Sequence, residues 1–288
     1  MLRLFRATNF RCVTGSELAL SADFNLIYGA NASGKTSLLE AIAYLGRGRS
    51  FRGASSANLV QHGHEAFVLY GQLDRGTRTS SVGVRNSRSG LEVRVDGTSD
   101  GGAAALAEAL PLQVIDPDVH NLVAGGPEQR RRFLDWVAFH VEPDHLLAWR
   151  RFRRALKQRN AALKASSSVA AMRSWNAEFE AVSASLDDSR RRALATALGT
   201  LQAVGKDLLD TSLDFHYQQV WSKDKSLDVS LEDGLQRDQL LGGCQIVPHR
   251  ADLKIQFDEW QARRLVSRWQ QKLLASAMIL AATQTEQV

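Results

Sequence analysis

The spacing of hydrophobic residues differs between the first part of the chain and its middle part. Up to about residue 95, apolar residues alternate with polar ones or form short runs between turn residues, which predicts β-strands. From Pro127 to about Leu209, apolar residues recur at helical spacing, as in Trp149, Phe152 and Leu156, which predicts two long antiparallel helices. A break between these helices is expected at residues 165–168. The strands predicted in the first part are 2–10, 17–20, 24–28, 66–73, 79–84 and 91–95.

The remaining pattern returns to mixed structure. Strands are predicted at 112–115, 228–231, 245–247 and 253–257, and helices at 37–45, 103–110 and 265–282. We therefore predict an α/β core lobe formed by 1–125 and 210–288, and a helical lobe formed by 126–209.

A glycine-rich loop stands between the predicted strand 24–28 and the predicted helix 37–45. Residues 29–36 read GANASGKT and fit G-x-x-x-x-G-K-[ST], the phosphate-binding P-loop. Backbone amides and a helix N-terminus would face the phosphates, Lys35 would reach the outer phosphates, and Thr36 would offer its hydroxyl to Mg²⁺. The bland alternative is a chance match in a loop of small residues. The nucleotide-binding positions predicted are Gly29, Ala30, Asn31, Ala32, Ser33, Gly34, Lys35 and Thr36.

Composition narrows the class of protein. The 288 residues are 44% hydrophobic and 23% charged, which is ordinary for a globular protein, and no apolar run is long enough to cross a bilayer. The N-terminus has no secretory apolar core, and the two cysteines, Cys12 and Cys244, suggest neither a disulfide framework nor a zinc site. We therefore expect a cytoplasmic protein.

The charge pattern points weakly to nucleic acid. The chain has a net charge of +5, and residues 128–164 contain ten basic and four acidic side chains, a net +6. Such a strip can neutralise backbone phosphates without reading sequence, although a solvated helix face is an equal alternative. The predicted DNA contacts are Arg150, Arg151, Arg153 and Arg154.

Several distinctive runs together resemble one family. They are Asn9-Phe10-Arg11, the P-loop with 39–42 (LEAI), 48–52 (GRSFR), 125–136, 156–163 (LKQRNAAL), 248–253 (PHRADL), and Ser267-Arg268 with Gln270. These runs, and their order along the chain, resemble the bacterial RecF family. Its members are ABC-type ATPases of recombinational DNA repair that are related to SMC heads.

The resemblance implies a function and a set of partners. Members bind ATP with Mg²⁺ between two heads, so that an ATP-dependent homodimer clamps single-stranded or duplex DNA, largely without sequence preference. They act with RecO and RecR proteins to load recombinase during replication restart, repair and the SOS response. Ser267 would be the signature serine that caps the γ-phosphate bound to the opposite chain. Arg11 and Arg52 would be candidates for further phosphate contacts, with plain surface arginines as the alternative. His249 and Arg250 lie in a shared motif, where a hydrogen-bonded structural histidine is favoured for His249.

The sequence also departs from the family pattern. Trp269 stands where the signature motif has Gly, and Val247 stands where Gly usually precedes Pro-His-Arg. Ala32 replaces a frequent Gly. Nothing after Ser267 resembles a Walker B strand, and Val114-Ile115-Asp116 precedes the helical region and has too short an apolar run.

These departures leave three functions open. The first is a RecF-like DNA-dependent ATPase, and the second is a nucleotide-sensing, DNA-binding module that does not hydrolyse ATP because the Walker B part is missing. The third is a P-loop small-molecule kinase, which would not need two long inserted helices. ATP turnover therefore stays undecided at this stage.

Overall fold

The fold was analysed in a computed structural model, which describes residues 1–99, 101–165, 168–222, 224–258 and 260–285. The chain divides into two compact units, Met1–Val114 and Ile115–Val288. The structure thus groups 210–285 with the long helices, whereas the sequence pattern groups them with the P-loop. The assignment of 210–288 to an ATPase core lobe stays a prediction.

The first unit is a five-stranded antiparallel sheet with helices. Strand β1 (Leu2–Phe10) pairs with β2 (Val13–Ala19) on one side and with β3 (Ala66–Asp74) on the other. Helix α1 (Lys35–Arg47) comes between β2 and β3 in the chain. The sheet continues through β4 (Thr79–Ser87) and β5 (Gly90–Val95), in the order β2-β1-β3-β4-β5, and is followed by α2 (Gly102–Ala109). The chain reverses between β3 and β4 at Arg75–Arg78, where the Arg75 amide donates to the Arg78 carbonyl at 2.9 Å, and it turns after β5 at Asp96-Gly97.

An aromatic cluster holds α1 on this sheet. The rings of Phe10 and Phe67 lie 4.9 Å apart and those of Tyr44 and Phe67 lie 5.1 Å apart, both edge to face. Asn86 Nδ2 donates to the Tyr44 hydroxyl at 2.8 Å, so this buried polar group keeps a partner. The alternation of apolar residues in β3 places Phe67 on the buried face. Phe10 is out of phase with the buried Phe5 and Ala7 of β1 and reaches the same cluster after Asn9, whose φ is 56°.

The second unit is mainly helical. It begins with α3 (Asn121–Ala124), α4 (Pro127–Val141), α5 (His145–Lys164) and α6 (Val169–Ser174), followed by α7 (Asn176–Leu209). Then come β6 (Leu213–Gln218), α8 (Leu227–Asp233) and α9 (Leu235–Leu241). Strands β7 (Asp252–Phe257) and β8 (Trp260–Gln261) form an antiparallel sheet with β6, and α10 (Ala262–Leu265) precedes α11 (Arg268–Thr285).

Two apolar clusters form the core of this unit. One joins α4, α7 and α11 with β6 and β7 through residues such as Leu134, Leu201 and Met278. The other joins α5, α7, α8 and α9 through residues such as Phe152, Phe179 and Leu231. The region predicted as two long helices is confirmed as helical, but each predicted helix is divided. The first consists of α4 and α5, separated at 142–144, and the second of α6 and α7, separated at Trp175. The predicted break between the first and the second includes residues 166 and 167, which lie outside the described residues.

Four predicted strands are wrong. Residues 24–28 are extended but pair with no strand among the described residues, and Phe24 and Tyr28 are 75% and 85% exposed. Residues 112–115 are also unpaired. Residues 228–231 lie in α8, because Ser226 Oγ accepts from the Val229 amide at 3.3 Å and caps a helix.

The fourth error and one omission both lie in the second unit. At 245–247 a side chain replaces strand pairing, since the Gln245 amide donates to Asp238 Oδ1 at 3.0 Å. Strand β6 was missed, although Leu213, Phe215 and Tyr217 alternate with polar residues as a strand requires. In all ladders that the described residues form, the strands run antiparallel. None of the described helices combines the length and apolar character needed to cross a membrane.

Candidate functional site

The glycine loop has the backbone conformation that its sequence requires. Gly29 and Gly34 have φ of 152° and 91°, values that residues with a Cβ rarely adopt. Ala32 also has a positive φ, 64°, so at this position an alanine takes a conformation that favours glycine. A Cβ on Gly34 would lie 3.2 Å from Cys12 Sγ, which leaves little room for another residue there.

Helix α1 begins directly after the loop and directs its free amides toward it. The first intrahelical bond joins the Leu38 amide to the Gly34 carbonyl at 2.9 Å, so the amides of Lys35, Thr36 and Ser37 precede the helical ladder. The first turn contains no acidic residue. The positive end of the helix dipole is therefore available to an anion in the loop.

Lys35 lies across the loop. Its Nζ donates to the Gly29 carbonyl at 2.9 Å and to the Ala30 carbonyl at 2.6 Å. Thr36, the next residue, is exposed, so its hydroxyl is accessible to solvent and to small ligands. The loop thus combines a mobile cation, free amides and a hydroxyl within a few residues, which is the donor set that a triphosphate requires.

A cleft of about 340 Å³ adjoins the loop. One wall is formed by the end of the β1–β2 turn and by β2, and the other by the loop itself and Leu38 of α1. Among the described residues that line it there is no carboxylate. The lining residues are Cys12, Val13, Thr14, Gly15, Ser16, Ile27, Tyr28, Ser33, Gly34, Lys35 and Leu38.

The two candidate arginines Arg11 and Arg52 meet at one buried carboxylate. Glu40 of α1 is fully buried, and its Oε2 lies 2.6 Å from Arg11 Nε and 3.8 Å from Arg52 Nη1. Ser50 Oγ donates to Glu40 Oε1. Arg11 is therefore not a plain surface residue, whereas Arg52 is exposed and makes only the longer contact. Glu40 is a residue that the sequence analysis missed. Its signal was its position in the buried stripe of α1 formed by residues 37, 40, 41 and 44.

Ser267 is the N-terminal cap of α11. Its hydroxyl accepts from the Gln270 amide at 3.3 Å, and Gln270 Oε1 accepts from the Ser267 amide at 2.9 Å, a reciprocal capping box. The Ser267 hydroxyl keeps its own proton for another acceptor. Trp269, two residues into the helix, is 69% exposed.

The four arginines predicted to contact DNA are all exposed on α5. Arg150, Arg153 and Arg154 fall within an arc of about 100°, because each helical residue advances about 100°. Arg153 stacks on the Trp149 ring, with its Cζ 4.7 Å from the centroid. In the described part of the chain none of the four forms an ion pair with a carboxylate.

Other arginines of the basic strip have structural roles. Arg130 is 3% exposed and forms a fork with Asp252, at 2.7 Å and 3.1 Å, while its Nη1 donates to the carbonyls of Val123 and Gly125. Arg159 is also buried, and its Nη1 donates to Asn176 Oδ1 at 2.7 Å. The strip is therefore smaller than its sequence count indicates.

The run 248–253 is fixed by three arginines. Arg190 donates to the Pro248 carbonyl and Arg131 to the Ala251 carbonyl, each at 2.7 Å, and Arg130 pairs with Asp252. His249 packs against the Phe152 ring, and burial, followed by nearby arginines, lowers its pKa to about 4. His249 is therefore neutral at pH 7. Its Nδ1 has no hydrogen-bond partner among the described residues, so the expected hydrogen-bonded histidine is found packed instead.

Comparison with known proteins agrees with this geometry. The model of the RecF/RecN/SMC N-terminal domain family matches residues 1–288. A DNA replication and repair protein RecF from Yersinia enterocolitica is 40% identical over 277 residues, which cover 95% of this chain and 76% of the relative. The corresponding protein from Cronobacter sakazakii is 39% identical over 282 residues, covering 95% and 77%.

A solved structure supports the fold. The structure described as the recombination mediator protein RecF-ATP in the RecFOR pathway matches with a TM-score of 0.89 and 24% identity, covering 98% of this chain and 80% of that chain. The predicted class, an α/β ABC-type ATPase head with helical content, is thereby confirmed. By the extent of these sequence matches, the chain belongs to the RecF family within the RecF/RecN/SMC N-terminal domain proteins.

Proposed function

We propose that this chain binds ATP through residues 29–36 and serves, as its relatives' names indicate, in DNA replication and repair. The observation that carries the proposal is the loop itself, with Gly29 and Gly34 at positive φ, free amides at the start of α1, and the Lys35 ammonium beside them. The name of the matched structure describes a RecF–ATP complex, which favours ATP over other phosphate ligands.

Mg²⁺ would accompany the nucleotide. The described residues contain no group of three His, Cys, Asp or Glu side chains that could hold a metal ion by themselves. Mg²⁺ commonly keeps several waters and binds through substrate phosphates, so the exposed Thr36 hydroxyl with phosphate oxygens is a fitting set of ligands. Bound there, the ion would neutralise phosphate charge.

We further propose that α5 contacts DNA through backbone phosphates. Arg150, Arg153 and Arg154 form a stripe on the face opposite the buried Phe152 and Arg159, with Arg151 beside it. These cations are not neutralised by carboxylates, so they can replace the counterions of single-stranded or duplex DNA without sequence readout.

The remaining functional proposals rest on the resemblance. An ATP-dependent homodimer would place Ser267 of one chain at the γ-phosphate bound by the other, and the capping box holds its hydroxyl at a helix N-terminus for that role. Partners of the RecO and RecR type, action in the cytoplasm and a part in the SOS response are proposed on the same basis.

Turnover of ATP is the point on which two candidate functions differ. The cleft next to the loop contributes hydroxyls, a thiol and a lysine but no carboxylate to activate water, which favours nucleotide binding without hydrolysis by the described residues. A small-molecule kinase is not favoured by any contact described here.

The first test measures binding of labelled ATP and steady-state hydrolysis, with and without duplex DNA, for the chain and its Lys35→Met variant. Binding that Lys35→Met abolishes is expected, and equal binding by both proteins would refute the proposed site. DNA-stimulated hydrolysis that Lys35→Met removes would refute the non-hydrolysing alternative.

The DNA proposal has its own test. Replacing the four α5 arginines with alanine should lower the slope of log K against log salt by up to about 3.6, since each phosphate neutralised on B-DNA contributes about 0.9. An unchanged slope would show that they do not contact phosphates. The matched control removes four exposed but ion-paired arginines, whose side chains are 48–56% exposed: Arg3, Arg6, Arg85 and Arg132.

A further inference from the structure

We propose that Glu40 is a positioning residue, which holds Arg11 and Arg52 beside the nucleotide loop and thereby sets the affinity for ATP. The inference rests on the proposed function, because it assigns a role at the same site. It concerns a buried group that lies outside the GANASGKT motif and is not part of the loop itself.

The first support is the geometry of the Arg11–Glu40 pair. Arg11 Nη2 donates to Glu40 Oε1 at 2.9 Å, and Arg11 Nε lies 2.6 Å from Oε2 as an ion pair without a hydrogen bond, so the guanidinium contacts both oxygens. A planar guanidinium that contacts both oxygens restricts orientation as well as distance, which the single ammonium of a lysine would do less well. The Arg11 side chain is 22% exposed and Glu40 is fully buried, so solvent screens this pair only weakly.

The second support is the number of segments that the carboxylate joins. Arg11 belongs to the β1–β2 turn, Glu40 to α1, and Ser50 and Arg52 to the basic loop after α1. The Ser50 hydroxyl donates to Glu40 and accepts from the Arg52 amide at 3.0 Å and from the Ala54 amide at 3.4 Å. Through this hydroxyl, Glu40 orders the loop 50–54 as well as the arginine.

The third support is the balance of charge. One carboxylate faces two guanidinium groups, so the cluster keeps an excess of one positive charge. Arg52 is the looser partner, at 3.8 Å and with a side chain 47% exposed, and it can turn toward an added anion while Arg11 keeps Glu40 paired. An excess cation beside a phosphate-binding loop strengthens the attraction of a polyanion.

The fourth support is the connection from Arg11 to the cleft. Arg11 has a positive φ, 50°, which is unusual for a bulky residue and requires other contacts to maintain it. The next residue, Cys12, lines the cleft, and its Sγ donates to Ser37 Oγ at 3.4 Å in the first turn of α1. Loss of the Arg11–Glu40 ion pair would therefore release the turn that forms one wall of the nucleotide cleft.

The test is a double-mutant cycle on ATP binding in the presence of Mg²⁺, with Glu40→Gln, Arg11→Lys and the double variant of the 288-residue chain. Each single change should weaken ATP binding about tenfold, and the double variant should bind no more weakly than the weaker single variant, because the two groups act as one unit. The control is Glu17→Gln, which breaks the exposed Arg6–Glu17 pair at 2.5 Å in the same sheet and should leave ATP affinity unchanged.

The outcomes separate the two proposals. If Lys35→Met binds ATP like the parent chain, the proposed function fails. If Lys35→Met loses binding while folded Glu40→Gln and Arg11→Lys both keep the parent affinity, the positioning role is refuted, even if their melting temperatures fall. If Glu40→Gln does not fold, Arg11→Lys and Ser50→Ala are measured instead, because both variants retain the Glu40 carboxylate. Unchanged ATP affinity in both variants refutes the positioning role, and weaker ATP binding supports it.

Discussion

Two glycines of α7 should respond in opposite directions to the same substitution. Gly199 and Gly205 are both in the interior of the helix, where alanine is favoured over glycine by about 1 kcal/mol. At Gly199, which is exposed, a Cβ would meet nothing within 4 Å. At Gly205, which is buried, a Cβ would lie 2.1 Å from Leu213 Cδ1 and 3.1 Å from Leu213 Cγ.

The magnitudes follow from these distances. Gly199→Ala should increase the free energy of unfolding by about 0.5–1 kcal/mol, mainly by restricting the unfolded chain. Gly205→Ala gains the same preference, but Leu213 is only 2% exposed and has little room to move. Overpacking costs about 1–3 kcal/mol, and a separation of 2.1 Å belongs to the upper end of this range, so we expect a net loss of about 2 kcal/mol.

Urea unfolding followed by circular dichroism measures both changes. Gly205→Ala should become less harmful in a Leu213→Val background, because the valine lacks the methyl group that the new Cβ would strike. Equal stabilisation by both alanines would refute the reasoning, since it would mean that β6 can shift away from α7 without loss.

Three further predictions concern the second unit. Arg130→Ala should lower the free energy of unfolding in urea by about 3–5 kcal/mol, because it leaves Asp252 buried without its guanidinium partner. The control Arg132→Ala, at an exposed arginine, should cost less than about 1 kcal/mol. Similar losses in the two variants would contradict the structural role of Arg130. Because burial holds the pKa of His249 near 4 in the folded chain against about 6.5 unfolded, stability should fall as the pH drops from 6.5 toward 4. His249→Gln should flatten that fall, and an identical pH profile would show that His249 does not contribute. Trp269→Gly should increase dimer formation with ATP and Mg²⁺ by removing the exposed ring next to Ser267, and unchanged sedimentation would reject the ring as the obstacle.

The local patterns that predicted elements correctly are those in which burial follows one period. The alternation in β3 and β4 and the apolar stripe of α5 match the observed strands and helix. Residues 228–231 and 245–247 were misassigned because hydrogen bonds from their backbone amides to the side chains of Ser226 and Asp238 decide their conformation. A short apolar run cannot reveal such a partner.

The candidate site, like the fold, could be predicted only in part from the sequence. The loop could be predicted because its glycines, lysine and threonine are contiguous. The roles of Arg130 and Glu40 could not, because each depends on a partner distant in sequence: Asp252 is 122 residues from Arg130, and Arg11 is 29 residues from Glu40. From the sequence alone, a charged residue within a run of charged residues is interpreted as solvent-exposed, because its distant partner cannot be identified.

The unpaired segment at residues 24–28 has a consequence for the rate at which this chain exchanges its amide hydrogens. Of the backbone hydrogen bonds in the described ranges, none involves these five residues. Their amides should exchange with deuterated solvent about as fast as those of an unstructured peptide, whereas the amides of β3, bonded on both sides, should exchange only when the sheet opens. Residues 24–28 and strand β3 should therefore differ most in amide exchange within the first unit. They lie within about fifty residues of each other, on either side of the glycine loop and α1.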